Sequence, residues 1–228
     1  MPLVLDRLVP RRRLQLGFLA SHGGSSMSAI LDAIRRGQLD ASAQVVISNN
    51  SRSAALATAR GAGIPSYHLS ETTVGSPDEL DVAIRDALVR HDVNLVILSG
   101  YLKKIGPRTL DTFRGRILNV HPALLPKYGG HGMYGRHVHA AVLAAGETET
   151  GVTIHLVDEE YDHGRIIGQA TVPVLKTDTV DTLAARVLER EKTFFVEVLQ
   201  RIAESGLGGP LRSHGSEIRA GVDQGSGR

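Results

Sequence analysis

Asn119 and His121 are the residues from which chemistry can first be read. They lie two apart in Ile117–Tyr128, ILNVHPALLPKY. The apolar run Arg116–Leu118 predicts a strand end, and in an extended chain residues i and i+2 point to the same side. Pro122 and Pro126 then prevent the strand from continuing and prevent a helix from starting. An asparagine amide can donate a hydrogen bond to a developing oxyanion, and a histidine can carry a proton near neutral pH. The same residues also suit a plain polar turn after a strand. A third group, Asp162, stands 41 positions beyond His121, in DEEYDHG. An isolated Asp near a Gly is ordinarily a turn residue. Together with Asn119 and His121, however, it supplies a carboxylate that can set the imidazole's pKa.

The elements that must position these groups follow from periodicity. Leu14–Ala20 predicts a buried strand, Ser21–Ser26 a glycine turn, and Met27–Arg36 a helix with Met27, Ile30, Leu31 and Ile34 inward, ended by Gly37. A strand–glycine turn–helix unit presents helix N-terminal amides to an anion. It contains neither a Walker A loop nor a full G-x-G-x-x-G fingerprint, and a tight turn without a ligand fits it equally well. Strands are expected at Val45–Ser48, Pro65–Leu69, Leu95–Leu98 and Arg116–Val120. Helices are expected at Ser51–Ala62, at Pro77–Arg90 and from Pro107. This alternation predicts an α/β fold, a Rossmann-like and mostly parallel sheet with helices on both faces. Ligands of such sheets sit beyond the carboxyl ends of the strands. That rule places Gly23–Ser26, Ser99–Ile105 and Asn119–His121 along one edge.

Past this unit, Lys127–Gly135 (KYGGHGMYG) carries four glycines in nine residues, and Arg136–Ala145 has helical spacing. Gly151–Val157 and Ile166–Val174 predict a hairpin-like strand pair, hence mixed C-terminal strands, joined by the acidic turn Asp158–Gly164. Val180–Glu204 predicts a long C-terminal helix with Leu183, Val187, Phe194, Val198 and Ile202 inward. Residues 1–12 are expected to form a loose N-terminal arm, 13–204 one domain, and 205–228 a disordered tail of Gly, Ser and charge.

Composition narrows the classes. The 228 residues are 42% hydrophobic and 22% charged, enough for a sizeable core. A net charge of +2 gives no indication of a nucleic-acid partner. The absence of cysteine excludes disulfides, thiolate metal sites and a cysteine nucleophile, and fits a cytoplasmic protein. No apolar run has transmembrane length, and the N-terminus does not read as a signal peptide, so no membrane association is expected. The sequence contains no H-E-x-x-H. His137 and His139 stand two apart on a predicted helix, about 200° around it, so they cannot ligate one ion from one face; no metal is expected. No G-x-S-x-G elbow is present.

With these residues in view, ILNVHPALLPKY followed by GVTIHLVDEEYDHG resembles the glycinamide ribonucleotide transformylases, within the folate-dependent formyltransferases. The similarity runs from about Leu14 to about Glu204. The Asn-x-His-Pro-x-Leu-Leu-Pro core and the later Asp-x-Gly carry it, with LASHGGSSMSAI, VISNNSRS and LSGYLKKIGP in support. The resemblance implies transfer of a formyl group from 10-formyltetrahydrofolate, as co-substrate, to the amine of glycinamide ribonucleotide in de novo purine biosynthesis. The acceptor and donor would be small molecules, and the chain a monomer or homodimer. The implied catalytic set is Asn119, His121 and Asp162, with His155 as a further active-site histidine.

The resemblance also implies where the ligands sit. Nucleotide phosphate would meet Gly24, Ser25 and Ser26, and ribose Glu191; Gly100 and Pro122 complete the substrate set. Folate would lie beside Leu102, Lys103, Lys104 and Ile105 and beside Asp158, Glu159, Glu160 and Tyr161, with apolar walls at Leu110 and Ile117. Three positions depart from the family pattern: Ser26 replaces an Asn, Pro77 an Arg near the phosphate, and Leu188 a polar or basic residue. Side-chain grip on a phosphate is therefore thin. Lys127–Gly135 is longer than the matching loop in some members and is expected to cover the amine site. The departures leave open a formyltransferase for another amine, such as an amino sugar or modified amino acid. A non-catalytic binding module is the third reading, though it would not need all three catalytic residue types.

Overall fold

The structure is a computed structural model that describes residues 13–207. The expected N-terminal arm, and the expected tail from residue 208 onward, lie outside the described residues; Ser205 is the last residue of the final helix.

The chain alternates as its periodicity requires. β1 (Leu14–Ala20), α1 (Ser25–Arg35), β2 (Ala41–Ser48), α2 (Ala54–Gly61) and β3 (Ser66–His68) come first. Then follow α3 (Glu71–Val74), α4 (Pro77–Arg90), β4 (Leu95–Leu98), α5 (Pro107–Thr112) and β5 (Ile117–His121). The last part is α6 (Arg136–Ala144), β6 (Glu149–Leu156), β7 (Ile166–Pro173) and α7 (Val180–Ser205). One seven-stranded sheet runs in the order β3-β2-β1-β4-β5-β6-β7. β1 to β5 are parallel, whereas β6 is antiparallel to both β5 and β7. This is the mixed, mostly parallel sheet expected. The order reverses between β1 and β4, and the crevice beyond their carboxyl ends is where such sheets bind ligands.

Two hydrophobic clusters cover the two faces. Along β1, Leu14, Leu16, Phe18 and Ala20 join the cluster that includes Met27 and Ile30 of α1 and Phe194, Val198 and Ile202 of α7. Leu19 joins the other, with Ile84 and Leu88 of α4 and Ile117 of β5. Gly17 also faces α4: an added Cβ would come within 2.6 Å of Leu88 Cδ2 and 2.9 Å of Val93 Cγ2, so this helix approaches the sheet only over a glycine.

The loops that build the ligand edge are tied to one another. Ser21 N–H donates to the Gly100 carbonyl (3.1 Å), and Leu102 N–H donates to Ser21 Oγ (2.9 Å). Asp81, buried on α4, accepts from the N–H groups of Arg108 (2.8 Å) and Thr109 (3.0 Å) and so caps α5. The start of α7 is held by Asp178, which receives a paired bond from Arg186 (2.7 Å on each oxygen) and accepts from Leu175 N–H at 2.8 Å.

Most boundaries shift by one to three residues, and three differences from the sequence expectation are of another kind. β2 begins four residues earlier, because Ala41–Ala43 pair with β1, with Gln44 at a register shift, although the segment lacks the β-branched residues that mark a strand. α3 is a single turn formed around Ser70, whose N–H is capped by Thr73 Oγ1 (2.9 Å); so short a segment has no periodicity to detect. β5 extends to His121, so both candidate residues lie inside regular strand.

Arg186 holds the Asp178 carboxyl well below the usual carboxylate range, with Leu175 N–H adding to the effect. A carboxylate whose folded pKa lies below its unfolded value contributes stability above the unfolded pKa, near 4, and loses it as pH falls. Asp178→Asn should therefore melt below the wild type at pH 7, and the difference in Tm should shrink towards pH 3. A difference that stays constant over that range would show that the pair contributes no charge-dependent stability.

Candidate active site

The site begins with strand register. β5 and β6 pair so that Asn119 lies opposite His155 and His121 opposite Thr153, all four on one face. The cross-strand neighbours make contact: Asn119 Nδ2 is 3.2 Å from His155 Nε2. His155 Nδ1 lies 2.8 Å from the Leu156 carbonyl, which can only accept, so the proton sits on Nδ1. Nε2 lies between the Asn119 amide and Asp162: it accepts an amide hydrogen when the ring is neutral and donates to Asp162 Oδ1 when the ring is protonated. The second amide hydrogen is left to face the cleft.

Asp162 returns to this face from the turn after β6. Its Oδ2 is 3.3 Å from His121 Nδ1 and its Oδ1 3.5 Å from His155 Nε2. Gly130 N–H donates to Oδ2 at 3.0 Å. Asp162 adopts φ 55°, a left-handed conformation that Asp tolerates better than most residues. The Asp-x-Gly spacing has a steric cause, since a Cβ at Gly164 would overlap the Leu156 carbonyl. Within the turn, Glu160 N–H donates to Asp158 Oδ1 at 2.9 Å. The loop after β5 is fastened to β6 and β7: Thr153 Oγ1 of β6 donates to the Ala123 carbonyl (2.6 Å) and accepts from Leu125 N–H (3.0 Å), while Gln169 Nε2 of β7 reaches the Leu125 carbonyl (2.9 Å).

The fastening brings the Tyr128 carbonyl to within 2.7 Å of His121 Nε2. A carbonyl accepts only, so Nε2 carries a proton. The contact between Nδ1 and Asp162 is then attractive only when Nδ1 is protonated too. Burial pulls the His121 pKa down, while the Asp162 charge and the Tyr128 carbonyl pull it up; burial prevails and the pKa is lowered. For Asp162 burial pulls upward, but the His155 contact, the His121 charge and the Gly130 N–H outweigh it and the carboxyl stays ionised at neutral pH. A buried carboxylate thus faces an imidazole that is easily deprotonated.

These groups line a cleft of about 750 Å³. Clefts of about 570 and 310 Å³ elsewhere contain none of Asn119, His121 or Asp162. Its walls are Gly23–Ser25, Ser99–Leu102, Asn119–Pro122, Gly130–Arg136, and Leu188 and Glu191 of α7. The three segments expected on one edge do meet, and the glycine-rich loop closes over them. At the α1 end, Met27 N–H donates to Ser99 Oγ at 3.0 Å, whereas the Ser25 and Ser26 N–H groups have no partner among the described residues. Gly24 sits at φ 64°, where a side chain would be strained. Ser26 is buried and its hydroxyl bonds Glu191 Oε1. Burial raises the Glu191 pKa against the opposing effect of that bond.

Not every expected residue is part of the wall. Leu102 and Tyr161 are; Lys103, Lys104, Glu159 and Glu160 are exposed outside it, and Asp158 braces its own turn. Ile105, Leu110 and Ile117 are at most 8% exposed and belong to the core beneath the cleft. His155 lies behind the wall, buried between Asn119 and Asp162. Pro77 heads α4 and Ser26 is turned away, whereas Leu188 does face the cleft.

Sequence reasoning missed His22 and His139 as wall residues, and the Tyr128 carbonyl, and placed Tyr101 only within the segment Ser99–Ile105. Tyr101 follows the Ser-Gly that closes β4; burial, aided by the Glu71 charge, pushes its phenol up to about 12, so it is a neutral donor at neutral pH. His137 and His139 take opposite sides of α6, one exposed and one buried, as their spacing requires. Among the described residues no cluster of three or more His, Asp or Glu side chains could hold a metal, and no helix is long and apolar enough to cross a membrane.

Comparison with known proteins places the chain in a family. A family profile described as Formyl transferase matches residues 14–199. The chain is 42% identical over 194 residues to a chloroplastic phosphoribosylglycinamide formyltransferase of Vigna unguiculata, covering 85% of this chain and 62% of that protein. It is 36% identical to the phosphoribosylglycinamide formyltransferase of Haemophilus influenzae, covering 85% of this chain and 89% of that one. The chain thus spans less than two thirds of the plant relative and most of the bacterial one. The crystal structure of glycinamide ribonucleotide transformylase 1 from Symbiobacterium toebii superposes with a TM-score of 0.79 at 35% identity, over 91% of this chain and 93% of that one. The chain belongs to the formyl transferase family.

Proposed function

We propose that the chain transfers a formyl group from 10-formyltetrahydrofolate to the amine of glycinamide ribonucleotide. The observation that carries this reading is the convergence of Asn119, His121 and Asp162 on one cleft, with a helix N-terminus and Glu191 at its other end. The names of the aligned relatives, which match over nearly the whole described chain, support formyl transfer and the acceptor. The proposal makes the Haemophilus protein the better guide to the extent of the activity.

In the proposed reaction the acceptor nitrogen attacks the formyl carbon, and negative charge moves to the formyl oxygen. The cleft-facing amide hydrogen of Asn119 and the Nε2 proton of His121, shared with the Tyr128 carbonyl, stabilise it. Developing negative charge raises the proton affinity of His121, and Asp162 at Nδ1 supports the imidazolium. Asp162 accepts the amine's proton, directly or through water. The carbon–nitrogen bond to the folate then breaks, and its nitrogen takes up the proton that Asp162 accepted from the amine, directly or through water. His155 is a positioning residue here, because it decides which side of the Asn119 amide faces the substrate.

A second reading keeps the chemistry but changes the acceptor, to an amino sugar or modified amino acid. It is favoured by Ser26, whose hydroxyl is committed to Glu191, and by Leu188 at the cleft wall. Against it stand the unpaired Ser25 and Ser26 amides, a phosphate site that needs no side chain.

Two measurements test these assignments. Asp162→Asn should fold normally and lose roughly 10²-fold or more in kcat. With the charge that raises it removed, the His121 pKa should fall further, so a limb it governs should shift to lower pH. Near wild-type turnover in a folded variant would remove Asp162 from the mechanism. Separately, kcat/KM for glycinamide ribonucleotide should exceed that for its dephosphorylated riboside, mainly through KM, because the phosphate is remote from the reacting carbon. Equal values, or preference for an amino sugar or amino acid, would overturn the acceptor assignment and leave formyl transfer standing.

A further inference from the structure

Among the titratable side chains of the cleft that have no part in the mechanism above, His139 is buried and lacks a partner on one ring nitrogen. His139 projects from α6 into the wall and is 4% exposed. Its Nδ1 is buried without a hydrogen-bond partner. A proton on Nδ1 would leave an orphaned buried N–H, a rarer and costlier state than an unused acceptor. The neutral ring therefore carries its proton on Nε2, the nitrogen on the cleft side. Burial lowers the pKa of His139, and the charge of His121 lowers it further, which keeps the ring neutral. The wall thus contains a fixed, uncharged N–H donor in the same cleft as Asn119, His121 and Asp162. Glu191 and the α1 N-terminus occupy the distant end.

A neutral donor next to the attacking amine has little to offer that amine, which must itself be unprotonated and keep its lone pair for attack. It suits an uncharged acceptor atom close to the amine. We propose that His139 donates its Nε2 proton to the carbonyl oxygen next to the reacting aminomethyl group, and so selects α-amino amides as acceptors. This rests on the reading that the acceptor is a glycinamide. The bond is present before and after attack, so its effect falls on binding.

The test is a cycle between residue and ligand with carbocyclic acceptors, which resist hydrolysis at the sugar–nitrogen bond. One acceptor has the glycyl amide; in the other, methylene replaces the carbonyl. Wild type, His139→Ala and His139→Gln are assayed with the same folate donor. His139→Ala should raise KM for the amide about ten-fold, the equivalent of about 1.4 kcal/mol for one neutral hydrogen bond. Its kcat should stay within about three-fold and the folate KM should not change. The methylene acceptor should lose about two-fold at most, and His139→Gln, which retains an N–H donor, should recover most of the amide KM. Equal losses on the two acceptors overturn the proposal, as does an unchanged KM in a folded variant. A fall in kcat with a shifted pH profile would assign proton transfer to His139 and also overturn it. If His139→Ala does not fold, His139→Leu takes its place in the cycle. A wild type that does not formylate the amide acceptor defeats the glycinamide reading itself; an active wild type without coupling defeats only the role of His139.

Discussion

The antiparallel pairing of β6 on β5 is the constraint on which the site depends. A further parallel strand would need a crossover and would place its own carboxyl end beside that of β5. Reversal instead sets Asn119 against His155 and His121 against Thr153. Side chains in a strand alternate with period two, so a slip of one residue would turn each of these groups to the other face. Fixed register makes the amide and the two imidazoles neighbours without help from loops. The turn that follows β6 then adds Asp162 between the two rings.

Hydrogen-bond satisfaction extends from this pair outward. His155 is oriented by the Leu156 carbonyl and in turn orients Asn119. His121 is held by the Tyr128 carbonyl and by Asp162, and Asp162 by Gly130 N–H. Two of these contacts come from the segment that follows β5, whose start is tied to β6 through Thr153 and to β7 through Gln169. The glycine-rich loop is therefore part of the acid–base system as well as a wall. His139, at the end of the same segment, is the exception, since one of its ring nitrogens has no protein partner.

The cleft has two ends of different character. At the reacting end the polar groups are side chains with their partners already in place, the preorganisation that transition-state stabilisation requires. At the α1 end they are backbone amides and the Glu191 carboxyl. Backbone donors at a helix N-terminus depend little on residue type. Departures at Ser26 and Leu188 can therefore alter binding there while the reacting end is untouched. Gly24 is the position at that end where residue type matters most, because of its left-handed backbone.

The sequence by itself determined the elements and the place of the Asn119–His121 pair. β1, α4 and β4 lie where periodicity and the punctuating Gly and Pro residues put them, since these signals are local. The Asn-x-His spacing placed two groups on one side of a strand, and the crevice rule placed that strand's end on the ligand edge. Asp162 was legible through its resemblance to a family pattern, because nothing local relates it to His121. Only the tertiary structure decided which nitrogen of each ring carries a proton. That depends on the Tyr128 and Leu156 carbonyls, and a backbone acceptor has no signature in residue type. It also separated Leu102 and Tyr161, which face the cleft, from Ile105, Leu110 and Ile117, which apolar character alone cannot distinguish from core. The role of His139 was hidden for the same reason: spacing shows that it opposes His137 on the helix, but burial against another element decides which of the two faces the substrate.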